Sequence, residues 1–349
     1  MRETLEVGHR DTSDAEGSLL TKIHEVESLG VSLEPALRDA CGDRLGSIEW
    51  FRSPWQRSGA ATGRTWWRLP SGEVIRAIAK VPVGYREWYW TTELGATDPM
   101  RWDDGTAIEA RIPRVLSSGI ELASYDVAWM VVEAIDGVPL NDAMTAANLG
   151  VFFEAVTAFH RGCLELKPPA LKDKPSPPMW ATLLEKSRKA CDDNPIAMRS
   201  RWLNAIEAVQ DRLPALLDRW NARPITTWCH GDLHPGNAII RDREPTPSCA
   251  LIDLGLIHAG HWVEDALYIE RLHWGFEEKL CGIIPEAELS ARRVRAGLRV
   301  DPDDHLLANI RRVLMAATSP GFMGQEGEAA YLDRALEHIE LLLHRIPES

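Results

Sequence analysis

Apolar residues recur at helical spacing over residues 18–29, at Leu19, Leu20, Ile23, Val26 and Leu29, which predicts an amphipathic helix with Gly30 as its stop. Three stretches follow, residues 47–52, 64–69 and 73–81, rich in β-branched and aromatic side chains. They predict antiparallel strands, with Pro70-Ser71-Gly72 as the turn between the second and third. A helical stripe over residues 149–160 ends at His160, which is read as a packing residue. Prolines over 167–178 break this helix from the next, and further helices are predicted at about 180–193, 197–220, 261–280, 286–297, 303–317 and 326–345. Within this helical half lie two short apolar strands, 237–240 and 249–252, separated by a charged, proline-containing turn.

Composition narrows the picture. At 349 residues and 45% hydrophobic content the chain can bury a large core, and its length suits two lobes of one fold with a cleft between them. A net charge of −13 argues against a nucleic-acid surface. It suits a cationic substrate, or simply keeps the surface solvated. The six cysteines show no paired spacing, residues 1–7 hold no apolar signal core, and no apolar run approaches membrane-spanning length. A reducing cytoplasm and no membrane partner are expected; oligomeric state is not encoded. Of 14 tryptophans, Trp66, Trp67, Trp202 and Trp220 are expected in cores, whereas Trp88, Trp90, Trp262 and Trp274 are candidates to stack on a sugar or ring.

The chemistry concentrates in His230-Gly231-Asp232-Leu233-His234-Pro235-Gly236-Asn237 and in Ala250-Leu251-Ile252-Asp253-Leu254-Gly255. Hard Mg²⁺ prefers carboxylate and amide oxygens, which Asp253 and Asn237 offer from the facing ends of the two strands. A phosphoryl acceptor must be aimed in line and lose a proton, a task for a carboxylate not bound to metal, and Asp232 is placed for it. His230 and His234 with an acid between them resemble a zinc hydrolase pair, but Pro235-Gly236 rules out the single helical face that design needs. No Gly-x-x-x-x-Gly-Lys-Ser/Thr occurs, which excludes a P-loop enzyme.

Together the His-Gly-Asp-x-x-x-x-Asn and Asp-x-Gly patterns resemble the aminoglycoside phosphotransferase and choline kinase-like family of small-molecule kinases. The resemblance implies an α+β, bilobal, protein-kinase-like fold: a helical extension over residues 1–45, an antiparallel-sheet N-lobe with hinge over 46–135, and a mainly helical C-lobe over 136–349. It implies Asp232 as catalytic base, Asn237 and Asp253 as Mg²⁺ ligands, and Lys80 as the lysine on the α/β-phosphates, unless Lys80 is an ordinary strand-end residue. Its partner is Glu87, with Glu93 as the alternative, on a helix over 86–94. Small residues from Gly59 to Gly63 are the candidate phosphate-covering loop or a plain hairpin connection. Residues 129–140 resemble the last N-lobe strand and hinge, so adenine would meet main-chain groups at about Glu133 and Ile135. Asp265 resembles the buried aspartate that braces the catalytic loop, His230 is expected to brace rather than catalyse, and Glu264, Glu270, Glu277 and Glu278 form either acidic walls of an acceptor pocket or a solvated helix face. Gly231 stands where protein kinases carry arginine, which favours a small-molecule hydroxyl acceptor over a protein. A catalytically weak nucleotide-binding module and a protein kinase are the rival readings. The motifs do not choose between ATP and GTP, nor among aminoglycoside, other antibiotic, amino alcohol and sugar, nor between drug resistance and metabolism.

Overall fold

The computed structural model describes residues 29–51, 60–95, 111–167, 179–241, 247–322 and 328–347. The chain divides into two compact units, Met1–Thr97 with Arg114–Ala134 and Asp98–Pro113 with Ile135–Ser349.

In the first unit a helix, α1, occupies residues 29–41. The strands β1 (Glu49–Phe51), β2 (Ala61–Arg68), β3 (Val74–Val83), β4 (Val115–Gly119) and β5 (Ala128–Glu133) form one antiparallel sheet in the order β1-β2-β3-β5-β4. Helix α2 (Tyr85–Leu94) follows β3. Alternation along β2 buries Thr65 and Trp67 while Arg64, Trp66 and Arg68 face outward. Trp66, expected in a core, is therefore 52% exposed, because a period of two places neighbouring tryptophans on opposite faces. Leu37, Trp67, Ala79, Val81 and Trp129 belong to one buried cluster. Gly30 does not stop a helix: it lies within α1, where an added Cβ would stand 2.7 Å from the Trp50 ring. The rest of the helix predicted over 18–29 lies outside the described residues. Strand β4 escaped the sequence reading because its Val-Leu-Ser-Ser-Gly run lacks a strand-like composition.

The second unit holds α3 (Ala146–Leu166), α4 (Trp180–Asp193), α5 (Arg199–Asn221), α6 (Val263–Arg271), α7 (Pro285–Arg295), α8 (Asp304–Thr318) and α9 (Ala329–Leu342). A three-stranded sheet joins β6 (Val138–Pro139), β8 (Ala238–Arg241) and β9 (Ser248–Leu251), and a two-stranded ribbon pairs β7 (Thr227–Cys229) with β10 (His258–Gly260). Trp202, Ile206, Ile310, Leu314 and Leu336 sit in the main helical core. The single helix predicted over 261–280 breaks after Arg271, and Gly275 follows with φ +77°, where a Cβ would stand 2.4 Å from Ala330 O. That close approach admits only glycine and redirects the chain. Among the described residues no helix is long and apolar enough to cross a membrane.

Candidate active site

Strand β7 is buried along its whole length and leads directly into the loop that carries Asp232. His230, fully buried, donates from Nε2 to Ile252 O (3.0 Å), while its Nδ1 accepts the Asp232 N–H (3.3 Å). Burial holds the imidazole below its ordinary pKa, so His230 is a neutral brace between the loop and the residue before Asp253. Gly231 has φ +81°, and a Cβ there would stand 2.3 Å from Leu256 O. Glycine is thus required at this turn, whatever the acceptor.

Asp265, in the first turn of α6, accepts the N–H groups of His230 (2.8 Å) and Gly231 (3.1 Å) and a hydrogen bond from His160 Nε2 (2.9 Å). Burial pushes its carboxyl up, yet the His160 hydrogen bond and the neighbouring groups leave it below the usual carboxylate value. The aspartate is structural and holds the loop from behind. His160 does more than pack, since it is a hydrogen-bonding member of this cluster.

In front of this brace, Asp232 accepts from the Tyr268 hydroxyl at Oδ1 (2.6 Å) and from Asn237 Nδ2 at Oδ2 (3.2 Å). Asn237 Nδ2 also donates to Asp232 O (3.0 Å), so both amide protons turn toward Asp232 and Oδ1 is left to other partners. Asn237 closes a short 3₁₀ turn just before β8, and its carbonyl accepts from Ile252 N–H (2.9 Å). Asp253 follows immediately, exposed, with φ +65°. Asx residues tolerate this left-handed conformation better than other L-residues. An exposed carboxylate and an amide oxygen are hard donors of the kind Mg²⁺ takes. Tyr268 was missed in the sequence. It lies one helical turn after Asp265, so the same face of α6 serves both the back and the front of the loop.

In the first unit, Lys80 on β3 forms an ion pair with Glu87, in the first turn of α2. Glu93 is exposed and takes no part in it, which resolves the alternative. Gly63 is not in a loop: it lies within β2 opposite Ala79 and Trp50, and a Cβ there would stand 2.3 Å from Ile48 Cγ2. Its lack of a side chain serves sheet packing, and Gly59 lies outside the described residues. Glu133 ends β5, with its N–H on Arg114 O (2.9 Å) and Oε1 accepting from Arg114 N–H (3.2 Å), and Ile135 follows two residues on.

Three of the four tryptophans offered for ring stacking are core residues. Trp90 is 3% exposed; Trp262 donates to Asp304 (2.8 Å); and Trp274 packs on His338 (centroids 4.8 Å apart). Trp88 is half-buried beside Tyr85. The acids of α6 are not a wall either. Glu270 is held in a bidentate pair by Arg312 (2.6 and 2.7 Å), and Glu264 accepts from Arg223 (3.1 Å) and lies 3.5 Å from His258 Nε2. Cys229, His258 and Glu264 bring ligand atoms within 4.8 Å of one another. There the His258 hydrogen bond and the charges of Arg223 and Arg311 hold the Glu264 carboxylate in an ion-paired cluster, and burial pushes the Cys229 thiol up.

A model of the phosphotransferase enzyme family matches residues 88–304, which take in most of α2, the loop that carries Asp232, Asp253 and α6. The chain belongs to the phosphotransferase enzyme family. Among solved structures, this phosphotransferase is similar to an aminoglycoside phosphotransferase from Alicyclobacillus acidocaldarius, at 13% identity over 88% of this chain and 91% of that one, with a TM-score of 0.50. It also aligns with an aminoglycoside phosphotransferase from Streptomyces rimosus (20% identity, 83% and 97% covered, TM-score 0.41) and with choline kinase from Cryptosporidium parvum (11%, 86% and 88%, 0.46). The Alicyclobacillus likeness shows the fold, the α+β protein-kinase-like one with an antiparallel-sheet unit and a mainly helical unit. No curated protein matches the chain significantly.

Proposed function

We propose that this phosphotransferase moves the γ-phosphate of ATP to a hydroxyl of a small molecule, with Asp232 as the base. The observation that carries this reading is the hydrogen-bonded cluster of Asp232, Asn237 and Tyr268, with Asp253 exposed immediately after the residue that pairs with Asn237. Two donors fix the Asp232 carboxylate while the Asn237 amide oxygen and the Asp253 carboxylate stay available.

Asn237 Oδ1 and Asp253 would hold Mg²⁺, which when bound neutralises charge on the phosphate oxygens. Asp232 orients the acceptor hydroxyl and takes its proton as the new O–P bond forms. Transfer is direct, with no phospho-enzyme. Lys80, fixed by Glu87, is assigned to the α/β-phosphates, and the main chain at Glu133 and Ile135 to the adenine.

The deciding measurement is ADP or GDP release from ATP or GTP with Mg²⁺ over a panel of aminoglycosides, amino alcohols, sugars and a generic protein substrate. Asp232→Asn is expected to abolish transfer while nucleotide binding persists. Full turnover in that variant refutes the role of Asp232, and binding without transfer to any acceptor makes the protein a nucleotide-binding module.

A further inference from the structure

We propose that Arg293, on α7, is a positioning residue for the catalytic loop and acts on it through His160 and Asp265. The proposal rests on the reading of Asp232 as the base but concerns a residue that touches neither substrate nor loop. Arg293 is fully buried. Its Nη1 meets His160 Nδ1 (3.0 Å) and Thr227 Oγ1 (3.2 Å), and its Nη2 donates to Arg299 O (3.1 Å). Its guanidinium carbon lies 5.7 Å from the Trp262 ring centroid.

The chemistry of the donors fixes the direction of the chain. A guanidinium only donates, so His160 Nδ1 must present its lone pair, and the proton must sit on Nε2, where Asp265 accepts it. His160 is thereby locked as the neutral Nε2–H tautomer and Asp265 as its anionic acceptor. The same carboxylate then takes the N–H groups of His230 and Gly231, the two residues before Asp232. Thr227, the second partner of Arg293, opens the strand that delivers the loop. The charged and titratable groups around His160 are Asp265 from α6, Arg293 from α7 and His230 from the loop, and burial with the guanidinium holds His160 below its ordinary pKa.

Packing alone does not account for an arginine here. Burying a cation with no carboxylate in direct contact costs several kcal/mol, which an apolar side chain of similar volume avoids. Burial pushes the guanidinium down to about 10, still charged at neutral pH. A permanent donor is what the tautomer lock needs.

The test uses the full chain. In ¹⁵N-histidine NMR of the wild type, His160 is expected with Nδ1 unprotonated and Nε2 protonated; a protonated Nδ1 overturns the proposal whether or not turnover is found. In Arg293→Met, kcat is expected to fall on the order of tenfold with KM for nucleotide and acceptor within about twofold, and the Gly231 amide resonance to move. In a His160→Gln background the same change is expected to cost less than about twofold, because the path is already cut. A folded Arg293→Met protein with wild-type kcat and an unmoved Gly231 amide, or an equal fall in both backgrounds, overturns it. Should Arg293→Met not fold, Arg293→Lys takes its place: kcat and His160 shifts that both match wild type or both depart from it support the relay, and wild-type kcat with a lost Nε2–H signal overturns it. If the wild type transfers no phosphate, the failure lies with the functional reading, and the tautomer and amide shifts still judge Arg293.

Discussion

Asp265→Asn removes one charge from the centre of the second unit and alters nothing else in size. The carboxylate accepts three hydrogen bonds, from His230 N–H, Gly231 N–H and His160 Nε2–H, at 2.8, 3.1 and 2.9 Å. An asparagine can keep its carbonyl on one side, but its amide then faces at least one donor, leaving that N–H and its own unsatisfied. Hydrogen bonds to a buried charge are worth about 1.5–3 kcal/mol each, and breaking a buried ionic cluster costs about 3–5 kcal/mol. Arg293 also loses a stabilising negative neighbour, although Asp304 remains. A loss of this size should lower the melting temperature of a unit this large by about 10 °C. The fourteen tryptophans give a direct fluorescence readout of melting. Turnover should fall at least about tenfold at a temperature where the variant is folded, because the loop N–H groups are no longer held. A melting temperature within about 2 °C of wild type together with turnover within about twofold would refute the claim that this carboxylate braces the loop.

Asp253→Asn keeps a residue that tolerates φ +65° and removes only the charge, so Mg²⁺-dependent nucleotide binding and turnover should drop together with melting unchanged within about 2 °C; retained metal-dependent binding by calorimetry contradicts the ligand role. Tyr268→Phe deletes the donor on Asp232 Oδ1 and should lower kcat about tenfold with nucleotide KM unaltered, and a purely KM effect would place Tyr268 in binding instead. Burial raises the Glu264 carboxyl, but the His258 hydrogen bond and Arg223 bring it from 4.5 to about 2, worth about 3 kcal/mol at 1.36 kcal/mol per unit. That contribution is complete above 4.5 and disappears as pH falls toward 2. Urea midpoints of wild type and Glu264→Gln should therefore converge at the acid end, and a constant gap down to pH 2 would show that the carboxylate is not held this way. His258 works in the opposite sense: burial lowers its pKa, but the hydrogen bonds to Glu264 and Leu256 O and the charges of Glu264 and Asp265 together raise it, so its share is present below 6.5 and fades as pH rises through the raised value.

Local rules made much of this protein readable. A proline-glycine interruption excluded a helix at His230–Asn237, apolar runs marked β8 and β9, and register then put Asn237 and Asp253 at neighbouring ends of one hairpin. Spacing between oxygen-bearing residues in a short hairpin is a sequence property, so Asp232, Asn237 and Asp253 could be named as candidates without coordinates. Length suited two lobes, and the family resemblance implied that one would carry a sheet and the other be mainly helical.

Tertiary structure decided the rest, because burial and long-range pairing have no local signature. Gly63 looked like a loop residue until the strand beside it left no room for a Cβ, and Trp66 looked like core until the β2 pleat turned it outward. Glu264 and Glu270 resembled a charged surface, yet distant arginines on other elements drew them inward. Tyr268, His160 and Arg293 matter through partners 36, 105 and 133 residues away in sequence, a relation set only when the helices pack.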